Sequence, residues 1–192
     1  MNYLLNSFEC TGACVPGLEY LHQVQKLALE PAMVDVMDNL RDRIPICTWI
    51  GENIDIVNTE LNLYLQACHE CFYPHERHEI QIFAAPLAQS LGIDGLCNIF
   101  TNPITILIDV GRIAPEDWLS IVVHEYAHAH VGEFGHNQRF ARILWHLCLG
   151  LAIELPIWDP GRESELRSWP NCKSTVDPLA LWRGDSILDF RF

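Results

Sequence analysis

From Pro115 to Gly132 the chain spells a helix with both ends marked. Pro115 suits a first helical turn, where a missing N–H leaves no bond unmade, and Glu116 and Asp117 set negative charge at the positive end of the helix dipole. Trp118, Ile121, Val122 and Glu125 follow at helical spacing, and Gly132 supplies the stop. Ahead of this segment, ITILID (Ile104 to Asp109) is a short β-branched run that reads as a buried strand. Behind it, Gly135 and His136 precede a second helical pattern. There Phe140, Ile143, Leu144, Leu147 and Leu151 recur every three to four residues until Pro156. Strand, capped helix, glycine turn and helix in that order point to an α+β fold: a small twisted sheet packed on one central helix and the helix after it.

The central helix carries His124-Glu125-Tyr126-Ala127-His128. Four residues advance an α-helix by about 400°, so the two histidines stand one turn apart and about 40° from eclipse. Two imidazoles so placed can grip one Zn2+. Glu125 is rotated by about 100° from His124, within reach of a water on the metal without being a ligand. The spacing thus predicts histidines that bind, a metal that acidifies water and a carboxylate that accepts the proton. A tetrahedral catalytic site needs a third protein ligand. Two residues are candidates: His136, just past the Gly132/Gly135 turn, and Glu154, toward the end of the next helix.

Neighbouring positions offer supporting roles. Asp109, at the end of the strand before the central helix, is a candidate to hold a ligand histidine through its second ring nitrogen, or else a strand-end cap. His130 points away from His128 while the helix holds, which suits packing or support of the ligands. Tyr126 faces away from the metal, and His146 lies in an apolar helical stretch. His130, His146 and Arg139 are the candidates for a donor to an oxyanion. A separate cluster, Cys68-x-x-Cys71 with His75-x-x-His78, has ligand-type pairs and is a candidate second metal site. Its pairs are closer than a zinc finger requires, so the competing expectation is core cysteines beside a solvated histidine loop. Cys10 and Cys14 form a weaker pair still.

The run V-V-H-E-Y-A-H-A-H (122–130) followed by G-H-N-Q-R-F (135–140) resembles the zincins of the SprT-like and YgjP-like minimal zinc metallopeptidase groups. In these, H-E-x-x-H is followed by a third histidine that opens a helix and by an aromatic a few residues on. The resemblance covers about Glu79 to Leu155. It implies a zincin-like α+β fold, with His124, His128 and His136 as zinc ligands, Glu125 as general base and Phe140 packed under the third ligand. Metzincin spacing is absent, because Val131 and Phe134 stand where its glycine and third histidine would be. DNA-associated members carry basic regions, whereas this chain is acidic, so cleavage of DNA-bound protein is not expected.

Elsewhere the pattern is less direct. Residues 1–15 read as an arm. Pro16 opens a helix with Leu18, Leu21, Val24 and Leu29 on one face, and after Pro31 a second helix is expected from Met33 to about Arg43. Ile46 to Ile56 reads as a strand and turn around Gly51, and a helix follows to Phe72. Glu79 to Ala84 alternates as a strand should, and Gly92 to Pro103 is loop or hairpin. The organisation expected is an N-terminal arm with helices (1–44), a metallopeptidase core (45–158) and an irregular tail (159–192) that wraps the body.

Composition narrows the partners. Twelve Lys plus Arg against 25 Asp plus Glu give a net charge of −13, and between Ile44 and Gly111 the only cation is Arg77. Such a chain is unsuited to nucleic-acid phosphates or an anionic membrane surface. No stretch reaches the about 20 apolar residues of a membrane span, and the N-terminus lacks the pattern of a signal peptide. A cytoplasmic location is therefore expected, with the eight cysteines mostly reduced. The function expected is hydrolysis of peptide bonds by a metallopeptidase holding one zinc per chain, with a peptide or protein substrate that pairs with the ITILID strand. The alternative is a catalytically silent metal-binding protein with a regulatory or partner-binding role.

Overall fold

A computed structural model of the chain describes residues 10–35, 40–156 and 166–185. These residues form a mixed α+β structure. Its elements are α1 (Cys14–Gln25), α2 (Leu40–Glu70), β1 (Ile80–Ala84), β2 (Gly95–Asn98), β3 (Ile104–Ile108), α3 (Trp118–Val131) and α4 (Gln138–Gly150). Short 3-10 turns at Pro31–Met33, Pro74–Glu76, Gln89–Leu91 and Pro115–Asp117 link them, each of the proline turns beginning where the missing N–H is harmless.

The sheet has the order β1-β3-β2. β1 runs parallel to β3, with Ile80 opposite Ile104, and β2 runs antiparallel to it, with Gly95 opposite Ile108. β3 is therefore the central strand, which explains its unbroken burial from Thr105 to Ile108. It also corrects an expectation. ITILID has both edges paired and cannot receive a peptide. β1 is capped by Asn58 Oδ1, which accepts from the Ala84 N–H, and by the Tyr20 hydroxyl, which donates to the Ala84 carbonyl.

The largest departure is Ile46 to Ile56, which is helix, not strand. α2 runs unbroken for 31 residues, about 46 Å, with Pro45 in its first turns. Ile46, Ile50, Ile54, Val57, Leu61, Leu65 and Cys68 form one buried stripe at helical spacing, so tertiary packing overrides the β preference of the isoleucines. Gly51 serves a crossing, not a turn. A Cβ there would run into the backbone carbonyl of Ala13, and one on Gly17 would run into that of Cys47, so α1 and α2 meet backbone to backbone. The helix expected over Met33 to Arg43 is also altered. Val34 is extended and bridged to Leu87, and residues 36–39 lie outside the described residues. Cys10 and Cys14 form a disulfide at the start of α1, while the other six cysteines are free.

α3 is buried on almost every side, packing against α2, α4, β2 and β3. It ends where Gly132 adopts φ 72°, and its N–H returns to the His128 carbonyl. α4 begins at Asn137, whose side chain accepts the N–H groups of Arg139 and Phe140. It ends at Gly150, short of Pro156, with Ala152 left-handed at φ 54°. The tail lies against the connection from β3 to α3. Ala114 N–H donates to Lys173, Thr175 N–H to Arg112, and Lys173 N–H to the Asp117 carboxylate. Trp182 is fully buried.

Candidate metal centre

One turn of α3 separates His124 from His128, and both side chains are buried. The left-handed Gly132 reverses the chain, so that His136, in the loop before α4, returns beside them. The three Nε2 atoms converge: His136 lies 3.1 Å from His124 and 3.3 Å from His128. All three donor nitrogens fall within 4.8 Å of one another, so the group can hold a metal ion. Phe140, one turn into α4, lies under all three rings, with centroids 4.4 Å from His128, 4.8 Å from His136 and 5.2 Å from His124.

The far side of each ring decides which nitrogen faces inward. His128 Nδ1 lies 3.0 Å from the Glu133 backbone carbonyl, an acceptor that directs the Nδ1 proton outward and leaves the Nε2 lone pair facing the other two rings. The Glu133 carboxylate in turn accepts from Asn137 Nδ2 and Arg139 at 2.8 and 3.2 Å, stitching the turn together. His124 Nδ1 is buried without a well-formed hydrogen bond, and the Trp169 backbone faces it. Burial is the first cause holding all three histidines below their ordinary pKa. Neighbouring rings add to it for His124, while His128 and the Arg167 charge add to it for His136, which is lowered to about 4. Neutral rings offer lone pairs, as a metal requires.

Beside the histidines opens a cavity of about 610 Å³. Glu125 faces it, pushed up to about 8 by burial and then by the nearby Asp94. Gly95 on β2 makes room: a Cβ there would come within 3.0 Å of Glu125 Cγ and 3.1 Å of its Oε1. Apolar walls come from Leu29, Ile93, Leu96, Ile121 and Phe134, and the tail closes one side with residues 167–170.

Other expected site residues lie elsewhere. Glu154 is exposed and lines a separate cavity with Asp117 and Ser120. Asp109 supports no ligand histidine. It accepts from Leu87 N–H, Gly111 N–H and Trp182 Nε1–H, with the Arg112 guanidinium at 3.3 Å, so it ties strand, loop and tail together. His130 stacks on Phe72 at 4.1 Å, His146 bonds the Cys71 carbonyl and Arg139 pairs with Glu133, so none of the three reaches the cavity. Cys68, Cys71, His75 and His78 are not gathered into a donor group. Cys68 is buried in the α2 stripe, His75 stacks on Tyr73 and His78 turns its ring to His130.

Comparison of the whole chain with known proteins brought no match to a family model, a curated protein or a solved structure. The site is therefore argued from its own geometry. Four residues escape a reading of the sequence: Asp94, Glu133, Arg167 and Trp169. Each acts through a turn or a long-range approach that no local pattern announces.

Proposed function

We propose that the chain is a zinc-dependent metallopeptidase of zincin-like build, with His124, His128 and His136 holding the metal and Glu125 acting as general base. The observation that carries this reading is the convergence of three Nε2 atoms beside a buried carboxylate on a cavity wall. Three imidazoles are a donor set suited to Zn2+, and Zn–N bonds of about 2.0–2.1 Å at tetrahedral angles put ligand nitrogens about 3.3 Å apart. The observed 3.1 and 3.3 Å fit that edge. The resemblance of residues 122–140 to SprT-like and YgjP-like zincins supports the same assignment.

When bound, zinc supplies polarisation of a carbonyl and acidification of water. The chain's residues supply the rest. Glu125, on the cavity wall beside the three histidines, is placed to take a proton and return it to the departing amine. Phe140 and the Glu133 carbonyl hold the rings in one orientation. β2, an edge strand whose Gly95, Leu96 and Cys97 line the cavity, is the strand on which an extended peptide would pair.

The test is metal content and turnover on three proteins. Wild type should hold one zinc per chain, His136→Ala should lose it or bind it far more weakly, and Glu125→Gln should keep it. Glu125→Gln should also cut cleavage of a peptide library by a factor on the order of 10² or more. Wild-type turnover in Glu125→Gln would remove the base assignment, and zinc retained by His136→Ala would remove the third ligand.

A further inference from the structure

The tail carries into the cavity a charge that the proposed chemistry leaves unused. Arg167 is the one cation among the described lining residues, set against Asp94, Glu125 and the three histidines. Its side chain is exposed at the cavity edge, and no carboxylate among the described residues forms an ion pair with it.

The root of this side chain is fixed. Leu166 before it is fully buried, and Trp169 after it lies nearly parallel to the His124 ring, centroids 6.4 Å apart. Beyond Trp169, Lys173 and Thr175 are hydrogen-bonded to the segment that leads into α3. Arg167 is thus presented to the cavity by a tethered backbone. A guanidinium offers a planar fork of N–H donors that matches a carboxylate.

We propose that Arg167 selects substrates carrying a carboxylate close to the bond to be cleaved, either a C-terminal α-carboxylate or an Asp or Glu side chain. This rests on the cavity being the substrate site described above. The acidic body repels anions at long range, so the preference is exerted in the bound state and not in the rate of encounter.

The test is calorimetric binding of three probes: acetyl-Leu-Phe with a free C-terminal carboxylate, acetyl-Leu-Phe amide and acetyl-Leu-Glu amide. Each is titrated into wild type, Arg167→Gln and Arg167→Lys, zinc-loaded and zinc-free, with zinc content measured on the same samples. Wild type should bind at least one anionic probe about tenfold or more tighter than the neutral amide, as a hydrogen-bonded charge pair implies. Which anionic probe wins identifies the source of the carboxylate. Arg167→Gln should abolish the preference without changing zinc content, and Arg167→Lys should keep part of it. Equal binding of all probes by wild type, a preference that survives Arg167→Gln, or no binding at millimolar concentration overturns the proposal. Failure to take up zinc would instead count against the metal centre, and the zinc-free titrations would still decide the role of Arg167.

Discussion

Trp182 donates its indole N–H to Asp109 Oδ1 at 2.8 Å, joining the tail to the end of β3. Both groups are buried, so losing the donor leaves an acceptor short of a partner. Trp182→Phe should lower stability by about 1–3 kcal/mol from the lost bond. A urea titration measures the loss, and limited proteolysis should show earlier cleavage within 166–185. Unchanged proteolysis would mean that the other tail bonds suffice.

The same carboxylate gives a dependence on pH. Burial pushes Asp109 from 3.8 up to about 6, ahead of the lowering by Trp182, Leu87, Arg112 and Gly111. The folded protein therefore binds this proton more readily than the unfolded chain. The stability it contributes is complete below pH 3.8 and is lost as pH rises through about 6. The full difference corresponds to about 3 kcal/mol before any relaxation. In Asp109→Asn that titration disappears, so wild type should gain relative to the variant between pH 7.5 and about 4.5. Urea midpoints at the two pH values check the sign.

Gly95 stands where any side chain would meet Glu125 and, at 3.1 Å, Ile108. The flexible end of Glu125 is the part that gives way. Gly95→Ala should therefore retain zinc and lose turnover by about 10²-fold, the scale on which small misplacements of a catalytic group act. Metal analysis and kcat on one preparation separate this from a folding defect.

Metal should also stabilise the fold. The three nitrogens converge only when α3, the Gly132 turn and His136 are in place, so an ion bound there favours the native state. At a free concentration of about a thousand times Kd the gain is about 4 kcal/mol. Thermal unfolding with zinc, and again after chelation, should show a clear rise in Tm for wild type and almost none for His136→Ala.

Legibility in the sequence followed the range of the interactions. Pro115, Glu116 and Asp117 form a 3-10 turn that leads into α3 at Trp118, three residues later than the helix start expected at Pro115, and Gly132 ends α3 as expected, so the ends of this helix were legible to within one turn. His124, Glu125 and His128 share one turn, and their relation is a matter of helical geometry alone. Ile46, Ile50 and Ile54 carry a β-branched preference and a helical spacing at once, and only the partner surface decides between them. Gly51 resembles a turn residue until the Ala13 carbonyl is seen against it. Asp109 ends the strand before α3, a place from which a carboxylate can support a ligand, yet its oxygens are claimed by Leu87, Gly111 and Trp182. Arg167 owes its place to a fold of the tail that brings it back across the molecule.

The donor set spans only the thirteen residues from His124 to His136, whereas the cavity wall draws on Leu29 and on residues 167–170. A ribosome delivers these parts in order, and the last wall emerges after the donors are complete. In the site proposed here, the residues that would hold an ion lie close together in the chain, and those that would choose its substrate, Arg167 and Trp169, come from a distant stretch, so the two properties can change independently of one another.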